Sequence, residues 1–371
     1  MKILFVFFWP LPSIAGGVWT YLSGLKESLG HLGYHVDILS PHPEFNYYYL
    51  VGTDHVVEKN FIKEQVYNRI NPFYQSNFPM LLPWIRNIEF ECYSLELALT
   101  LFNLEQYDLI HVHDIYSARA VSRVKPSNVP IVSTLHGCLA TEYLIRAGKI
   151  KSTNEIHTVI KNIDKDYVWR LFKAYEWYGA TSCERTIVPS KWLKQLLVDY
   201  VNIPSDYIKV IPYGINIGSF LNHMKGGLHY GSNKNKTVII CPARLDEVKG
   251  HKYLLDALSE LLKDSKDWVC WIVGDGLLRK SLEDQTNKLG LQDFVKFFGN
   301  RNDVPTLMKN SDIVVLPSLQ DNQPFVVIEG QVAGKPVVVT DAGGLPEMVE
   351  HNETGLIVPA GNSHPLYKNL K

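Results

Sequence analysis

Short apolar runs recur along the chain, with few polar residues inside each: "KILFVFF", "YHVDILS", "YDLIHVH", "VPIVSTLHG" and "RTIVPS" in the first half, "TVIICPA", "DWVCWIVG", "FVKFFG", "DIVVLPS" and "KPVVVTD" in the second. A strand with one wet face alternates polar and apolar residues; a strand without alternation is covered on both faces. Each run is followed by an amphipathic or turn-rich stretch, as "VWTYLSGLKESLGHLG" follows the first. The pattern dictates right-handed crossovers and parallel sheets with helices on both sides. At 371 residues the chain exceeds one ordinary core and reads as two doubly wound domains. The polar, glycine-rich stretch at 218–237 is the weak point between them, and we place the division at 1–212 and 213–371. From 41 to 105 the rhythm loosens into an aromatic, proline-dotted segment that reads as an inserted helical excursion beside a cleft.

Charge and cysteine usage exclude several classes. Lys plus Arg number 37 against 38 Asp plus Glu, so there is no global basic field for nucleic acid or anionic lipid, and any anion site is local. Cys92, Cys138, Cys183, Cys241 and Cys270 are scattered and never form a C-x-x-C pair. That usage suits reduced core thiols in a cytoplasmic protein. The opening "MKILFVFFWP" has too short an apolar run for a membrane span and no signal-peptide cleavage pattern, so it reads as a buried first strand.

The chemistry-bearing residues collect at strand ends, where doubly wound domains bind ligands. In "PARLDEVKGHKYLLDAL", Arg244 and Lys249 lie between a strand and a helix whose Leu254, Ala257, Leu258 and Leu261 recur at helical spacing. Two cations beside a helix N-terminus make an anion site of diphosphate size. The plainer reading pairs them with Asp246 and Glu247. "WIVGDGLLRKSLE" puts Gly274 and Gly276 in a turn where backbone approaches a ligand closely. Asp321 and Glu329 stand eight apart around a strand end and helix start, suited to accepting paired bonds from vicinal sugar hydroxyls, or else to capping. Gly16 and Gly17 follow the first strand and His136 ends another; without a full G-x-G-x-x-G a nicotinamide site is not expected. "HVHD" at 111–114 mimics a metal cluster but lacks a third spaced ligand, and "DKD" at 164–166 sits in a polar helical stretch, so no metal is expected.

In order and spacing, "GGVWTYLSGLKESLGHLGYHVDILS", "DLIHVHD", "STLHG", "VIPYGIN", "PARLDEVKGHKYLLDAL", "IVGDGLLRKSLE", "VKFFGNRNDVPTLMKNSDIVVLPS" and "DNQPFVVIEGQVAGKPVVVTDAGGLPEMVEHNETGLIVP" resemble the retaining family 4 glycosyltransferases of GT-B fold. That resemblance implies two Rossmann-like domains facing an interdomain cleft, and a sugar moved from a nucleotide-diphosphate-sugar to an acceptor hydroxyl without metal or cofactor. It also implies residue roles: Arg244 and Lys249 on the diphosphate, Glu329 on ribose, Asp321 and His136 on the transferring sugar, and Gly16 and Gly17 bordering diphosphate and acceptor. Gly274, Gly276, Asn322, Pro324 and Phe325 complete the donor site. The implied acceptor is a glycan, a lipid-linked sugar or a small glycoconjugate.

The sequence departs from the family's pattern at several points. Asp321 stands for the usual Glu, Asn216 for a common Asp, and Gly330-Gln331 for Ala-Met. "NSHPLYKNLK" ends soon after "TGLIVP", where relatives continue for several helices, which leads us to expect a thinner outer layer and weaker domain closure. Two other readings use the same residues: a nucleotide-sugar-binding protein with impaired turnover, and a GT-B sugar-nucleotide epimerase. Incubation with donor alone separates the epimerase, and nucleotide binding without transfer separates the binding protein. The aromatics Tyr47, Tyr48, Tyr49, Phe73, Phe78 and Trp84 read first as core, with an acceptor cradle or a peripheral membrane contact as the alternative.

Overall fold

The computed structural model describes residues 1–12, 17–163, 165–225 and 236–371, with backbone alone at 160–162. The first sheet is built from β1 (Lys2–Val6), β2 (His35–Pro41), β3 (Tyr47–Leu50), β4 (Val56–Glu58), β5 (Leu109–Val112), β6 (Ile131–Thr134), β7 (Arg185–Val188) and β8 (Ile208–Val210). Their spatial order is β4-β3-β2-β1-β5-β6-β7-β8. All neighbours run parallel except β2–β3 and β3–β4, which pair antiparallel. The second sheet contains β9 (Thr237–Pro242), β10 (Trp268–Val273), β11 (Val295–Gly299), β12 (Ile313–Leu316), β13 (Val337–Thr340) and β14 (Gly355–Val358). It is parallel throughout, in the order β11-β10-β9-β12-β13-β14. In both sheets the order reverses beside the first strand, between β1 and β5 and between β9 and β12. Such switch points leave a crevice at the carboxyl ends of the strands.

The lack of alternation in the runs has its cause in packing. Leu4 and Val6 of β1 enter one core cluster while Ile3 and Phe5 enter another on the opposite face. In the second domain, Ile239 and Cys241 of β9 face the helix His251–Asp264, and Val238 and Ile240 face the other layer with Phe220 and Leu307. Full burial of each such side chain contributes about 1.5–3 kcal/mol. All five cysteines are free and buried, as small core residues. Phe220 lies on the helix Ile217–His223, which therefore packs with the second sheet. Asn216, where Asp was noted as common, caps that helix through Oδ1, accepting from Ser219 N at 3.0 Å. The last residues form a helix, Ser363–Leu370, that packs on His251–Asp264 and buries Leu366 and Leu370, so this face of the second sheet has an outer layer.

The excursion between 41 and 105 opens with the antiparallel strands β3 and β4 and continues as helices Lys59–Asn77 and Pro83–Leu99. A buried polar joint ties it to helix Ile115–Val124: Arg119 donates to Glu89 at 2.7 Å, and the Tyr74 and Tyr175 hydroxyls donate to the same carboxylate. Burial pushes Glu89 up, but these donors outweigh it and hold the carboxyl below its usual range. The aromatics divide. Tyr48 and Tyr49 are buried, whereas Phe73, Phe78 and Trp84 are exposed, and Met80 beside them is 92% exposed. No described helix is long and apolar enough to cross a membrane.

Candidate active site

Glycine geometry brings the second domain's loops together at the switch point. Gly250 has φ +67°, and a Cβ there would lie 2.1 Å from Pro317 O; only glycine lets the turn after β9 lie on the loop after β12. Leu319 N donates to Val248 O at 2.7 Å and fastens the two. Lys249, in the short turn Glu247–Lys249 just before the long helix, consequently meets Asp321: Nζ lies 2.6 Å from Oδ2. Ser318 Oγ donates to the same oxygen at 3.1 Å. The pair is only partly accessible, at 16% and 13% of the side chains, so solvent screens it less than a surface pair. Gly343 and Gly344 support Asp321 from the other side. Gly344 N donates to Asp321 O at 2.8 Å, and a Cβ on Gly343 would lie 1.9 Å from that oxygen.

Neither cation pairs with Asp246 or Glu247. Asp246 bonds Arg146 of the first domain at 3.1 Å, and Glu247 bonds Lys252. The Arg244 side chain is exposed and makes no hydrogen bond or ion pair with the described residues. The loop that carries it is braced by Gly274 and Gly276, where a Cβ would lie 2.2 Å from Ala243 O and 2.5 Å from Leu245 O. The close approach at these glycines is thus to the loop that holds Arg244.

Glu329 sits within helix Phe325–Val332, drawn near the sheet because Gly330 packs on Val314 and Val337. Burial alone pushes its carboxyl up to about 7, and the side chain bonds no described residue. A carboxyl so placed accepts paired hydrogen bonds readily. Phe325, at the start of the same helix after Pro324, stacks on Tyr213 with ring centroids 5.3 Å apart and covers Gly17 across the cleft. Gly16 lies outside the described residues.

His136 ends β6 on the first-domain side. Its Nδ1 bonds the Tyr213 hydroxyl, and its carbonyl accepts from Asn322 Nδ2 at 2.6 Å, a bond between domains. Burial pushes the imidazole down to about 3, with His111 adding to the effect, so the ring is neutral. Its Nε2 has no partner among the described residues. Tyr21 meets it edge-on and His113 stacks on it, with ring centroids 5.2 and 5.8 Å away. Further contacts clasp the domains: Asn154 with Asp341, and Glu347 receiving the N–H groups of Lys191 and Trp192 at the start of helix Lys191–Val201.

The two metal mimics resolve into structural roles. Asp114 caps helix Ile115–Val124, accepting from Tyr116 N and Ser117 N at 2.8 Å each, and His111 bonds Thr134 at 2.7 Å. Asp166 lies at the break between two helices and caps Tyr167–Thr181; Asp164 lies outside the described residues. Among the described residues no group of three or more His, Cys, Asp or Glu is placed to hold a metal ion.

Lys249, Asp321, Asn322, Phe325, Gly17 and His136 therefore share the seam, with Glu329 and Arg244 on the second-domain elements around it. Spacing does not mark Tyr213, Glu142, Arg146 or the Gly343-Gly344 turn. Only the quoted "VIPYGIN" and "DAGGLPEM" contain any of them, and their partners lie in the other domain or on a distant loop.

Two parallel α/β domains clasped across a cleft, with the polar cluster at both switch points, are the GT-B architecture of glycosyltransferases. The chain belongs to Glycosyltransferase Family 4, which it matches over residues 15–218, with Glycosyl transferases group 1 matched over 229–371. It is a glycosyltransferase that uses a nucleotide-sugar donor. An uncharacterized glycosyltransferase of Methanocaldococcus jannaschii is 29% identical over 370 residues, covering 96% of this chain and 85% of that protein. The UDP-Gal:alpha-D-GlcNAc-diphosphoundecaprenol alpha-1,3-galactosyltransferase of Escherichia coli is 27% identical over 269 residues, covering 70% of this chain and 64% of that protein. In fold, sucrose-phosphate synthase from Thermosynechococcus elongatus superposes with TM-score 0.74 at 18% identity, covering 100% of this chain and 88% of the other. Anabaena HepE in complex with UDP-glucose superposes with TM-score 0.64 at 20% identity, covering 99% and 88%.

Proposed function

We propose that the protein transfers a sugar from a nucleotide-diphosphate-sugar to an acceptor hydroxyl with retention of anomeric configuration and without a metal ion. The observation that carries this reading is the Lys249–Asp321 pair at the β9/β12 switch point, 2.6 Å apart and shielded from solvent. Glycosyl transfer gathers negative charge on the departing diphosphate and positive charge on the sugar ring. Lys249 and the exposed Arg244 supply cations for the former, and Asp321 supplies a carboxylate for the sugar's hydroxyls. Glu329, which bonds no described residue, takes the ribose diol. Neutral His136, whose buried Nε2 bonds no described residue, lies beside the transferring sugar, and Gly17 under Phe325 borders the diphosphate. The departing diphosphate oxygen serves as the base: an acceptor hydroxyl approaching on the leaving-group face delivers its proton to it as the sugar–phosphate bond breaks and the new glycosidic bond forms, and configuration is kept.

A lipid-linked glycan is the acceptor class we favour. The exposed knuckle of Phe78, Met80, Leu82 and Trp84 projects from the first domain, and the Escherichia coli relative is named for a diphosphoundecaprenol-linked acceptor. The test is a panel of UDP-, GDP- and ADP-sugars with undecaprenyl-diphosphate-linked and free sugar acceptors in EDTA, with the product's anomeric configuration read by NMR. Transfer with retention is expected. An inverted product, or transfer that EDTA abolishes, overturns the corresponding part of the reading.

A further inference from the structure

Helix Leu139–Arg146, which follows His136 on the first-domain side, packs against the Glu247–Lys249 turn of the second domain. Its Glu142 occupies an unusual position. Oε2 lies 3.3 Å from Arg146 on the next turn, and Arg146 in turn bonds Asp246 across the cleft at 3.1 Å. Oε1 lies over Gly137: a Cβ there would be 3.2 Å from it and 3.7 Å from Asn322 Nδ2. Only 23% of the side chain is exposed. Arg146, Arg244 and Lys249 all act on this carboxylate electrostatically, so it stands in the field of both cations assigned to the diphosphate. One carboxylate therefore serves a cluster of cations that a donor must also use.

We infer that Glu142 borders the anion seat of the cleft and opposes the donor's diphosphate, setting donor affinity and its dependence on pH. The inference rests on the diphosphate reading of Arg244 and Lys249. An ionised Glu142 lowers the positive potential at the seat and repels an incoming diphosphate; once protonated it does neither. Burial pushes its carboxyl up, while Arg146, Arg244 and Lys249 pull it back. Asp246 adds to the rise, and Glu176 faces it from helix Tyr167–Thr181. Asp321, already bonded to Lys249, and Glu247, bonded to Lys252, are further acids on the second-domain side. A diphosphate that engages the two cations withdraws their pull, so binding favours the protonated form of Glu142. Affinity governed by Glu142 rises as pH falls. Glu329 acts in the opposite sense, since ribose hydroxyls favour its ionised form, and comparing variants that differ only at residue 142 removes its contribution.

The experiment is calorimetric titration of the full chain with UDP, GDP and ADP between pH 6 and 8, using wild type, Glu142→Gln and Lys249→Ala. Glu142→Gln preserves shape and a hydrogen bond to Arg146. It is expected to bind its preferred nucleotide about fivefold more tightly or better at pH 8, with the gap narrowing as pH is lowered. Unchanged or weaker binding by Glu142→Gln, in a protein whose wild type binds and whose Lys249→Ala variant does not, overturns the inference and leaves Glu142 as a partner that orients Arg146. Failure of every nucleotide to bind wild type overturns the donor-site reading instead. Glu142→Ala, which also removes the charge, carries the same comparison if the amide does not fold.

Discussion

Replacing Glu329 by Gln separates the cost of a buried carboxyl from its use. In the folded chain burial pushes this group from an ordinary 4.5 up to about 7. The folded state therefore binds the proton more tightly than the unfolded state. Its contribution to stability is fully present below about pH 4.5 and is lost as pH rises through 7. The separation sets a ceiling of about 3 kcal/mol on that loss, and residual solvent contact reduces it to about 1–2 kcal/mol. Glu329→Gln cannot ionise, so the variant should melt about 2–8 °C above wild type at pH 8, since 1 kcal/mol moves Tm by about 2–4 °C in domains of this size. Near pH 4.5 the two should melt together. The same change removes a charged acceptor from the ribose diol, and nucleotide affinity should fall about 10- to 100-fold at pH 8. Scanning calorimetry at four pH values, with and without nucleoside diphosphate, reads both effects. A melting offset that is flat across pH, or larger in acid, refutes the buried-carboxyl argument; undiminished nucleotide affinity refutes the ribose role.

Other substitutions probe the remaining parts. Arg244→Ala and Lys249→Ala should each lower transfer about 100-fold or more. Melting should stay near wild type for the exposed Arg244 and fall by about 1 kcal/mol for Lys249, whose loss leaves Asp321 partly buried without its cation; turnover at the wild-type rate in either variant removes that residue from the reaction. Gly343→Ala forces a Cβ against Asp321 O at a left-handed backbone position, and a loss of about 2 kcal/mol or more in denaturant melts is expected. Changing Phe78, Met80 and Trp84 together to Ser should reduce co-sedimentation with phosphatidylglycerol vesicles at least about fivefold, with a small loss in the melt because Trp84 stacks on Phe172. Equal pelleting of wild type and variant would refute a membrane-facing knuckle.

Much of the architecture was legible because burial on both faces leaves a mark in the sequence. "TVIICPA" and "DWVCWIVG" could only be covered strands, and they are β9 and β10 at the centre of the second sheet. The edge strands β3 and β4 carry no such mark. Tyr47 to Leu50 lie in a stretch rich in aromatics, and their strand character comes from pairing with β2. Spacing could place Lys249 and Asp321 at neighbouring strand ends but could not say that they bond each other across 72 residues of chain. Asp114 looked like a ligand in "HVHD" because a cap and a metal ligand use the same carboxylate, and only the N–H groups of Tyr116 and Ser117 tell them apart. Glu142 and Tyr213 were invisible for another reason: each takes its importance from groups in the opposite domain or on its loops, a relation that no local pattern encodes.

The joint formed by Glu89, Arg119, Tyr74 and Tyr175 holds the excursion by its inner side. Phe61 and Tyr67, on the outer side of helix Lys59–Asn77, are exposed and do not bond to its members. Mutational drift on that outer surface is thereby decoupled from folding. A lineage, or an engineer altering only the exposed side chains of that helix and leaving Tyr74 and Glu89 in place, can retarget what the first domain greets without retuning the half that activates the sugar.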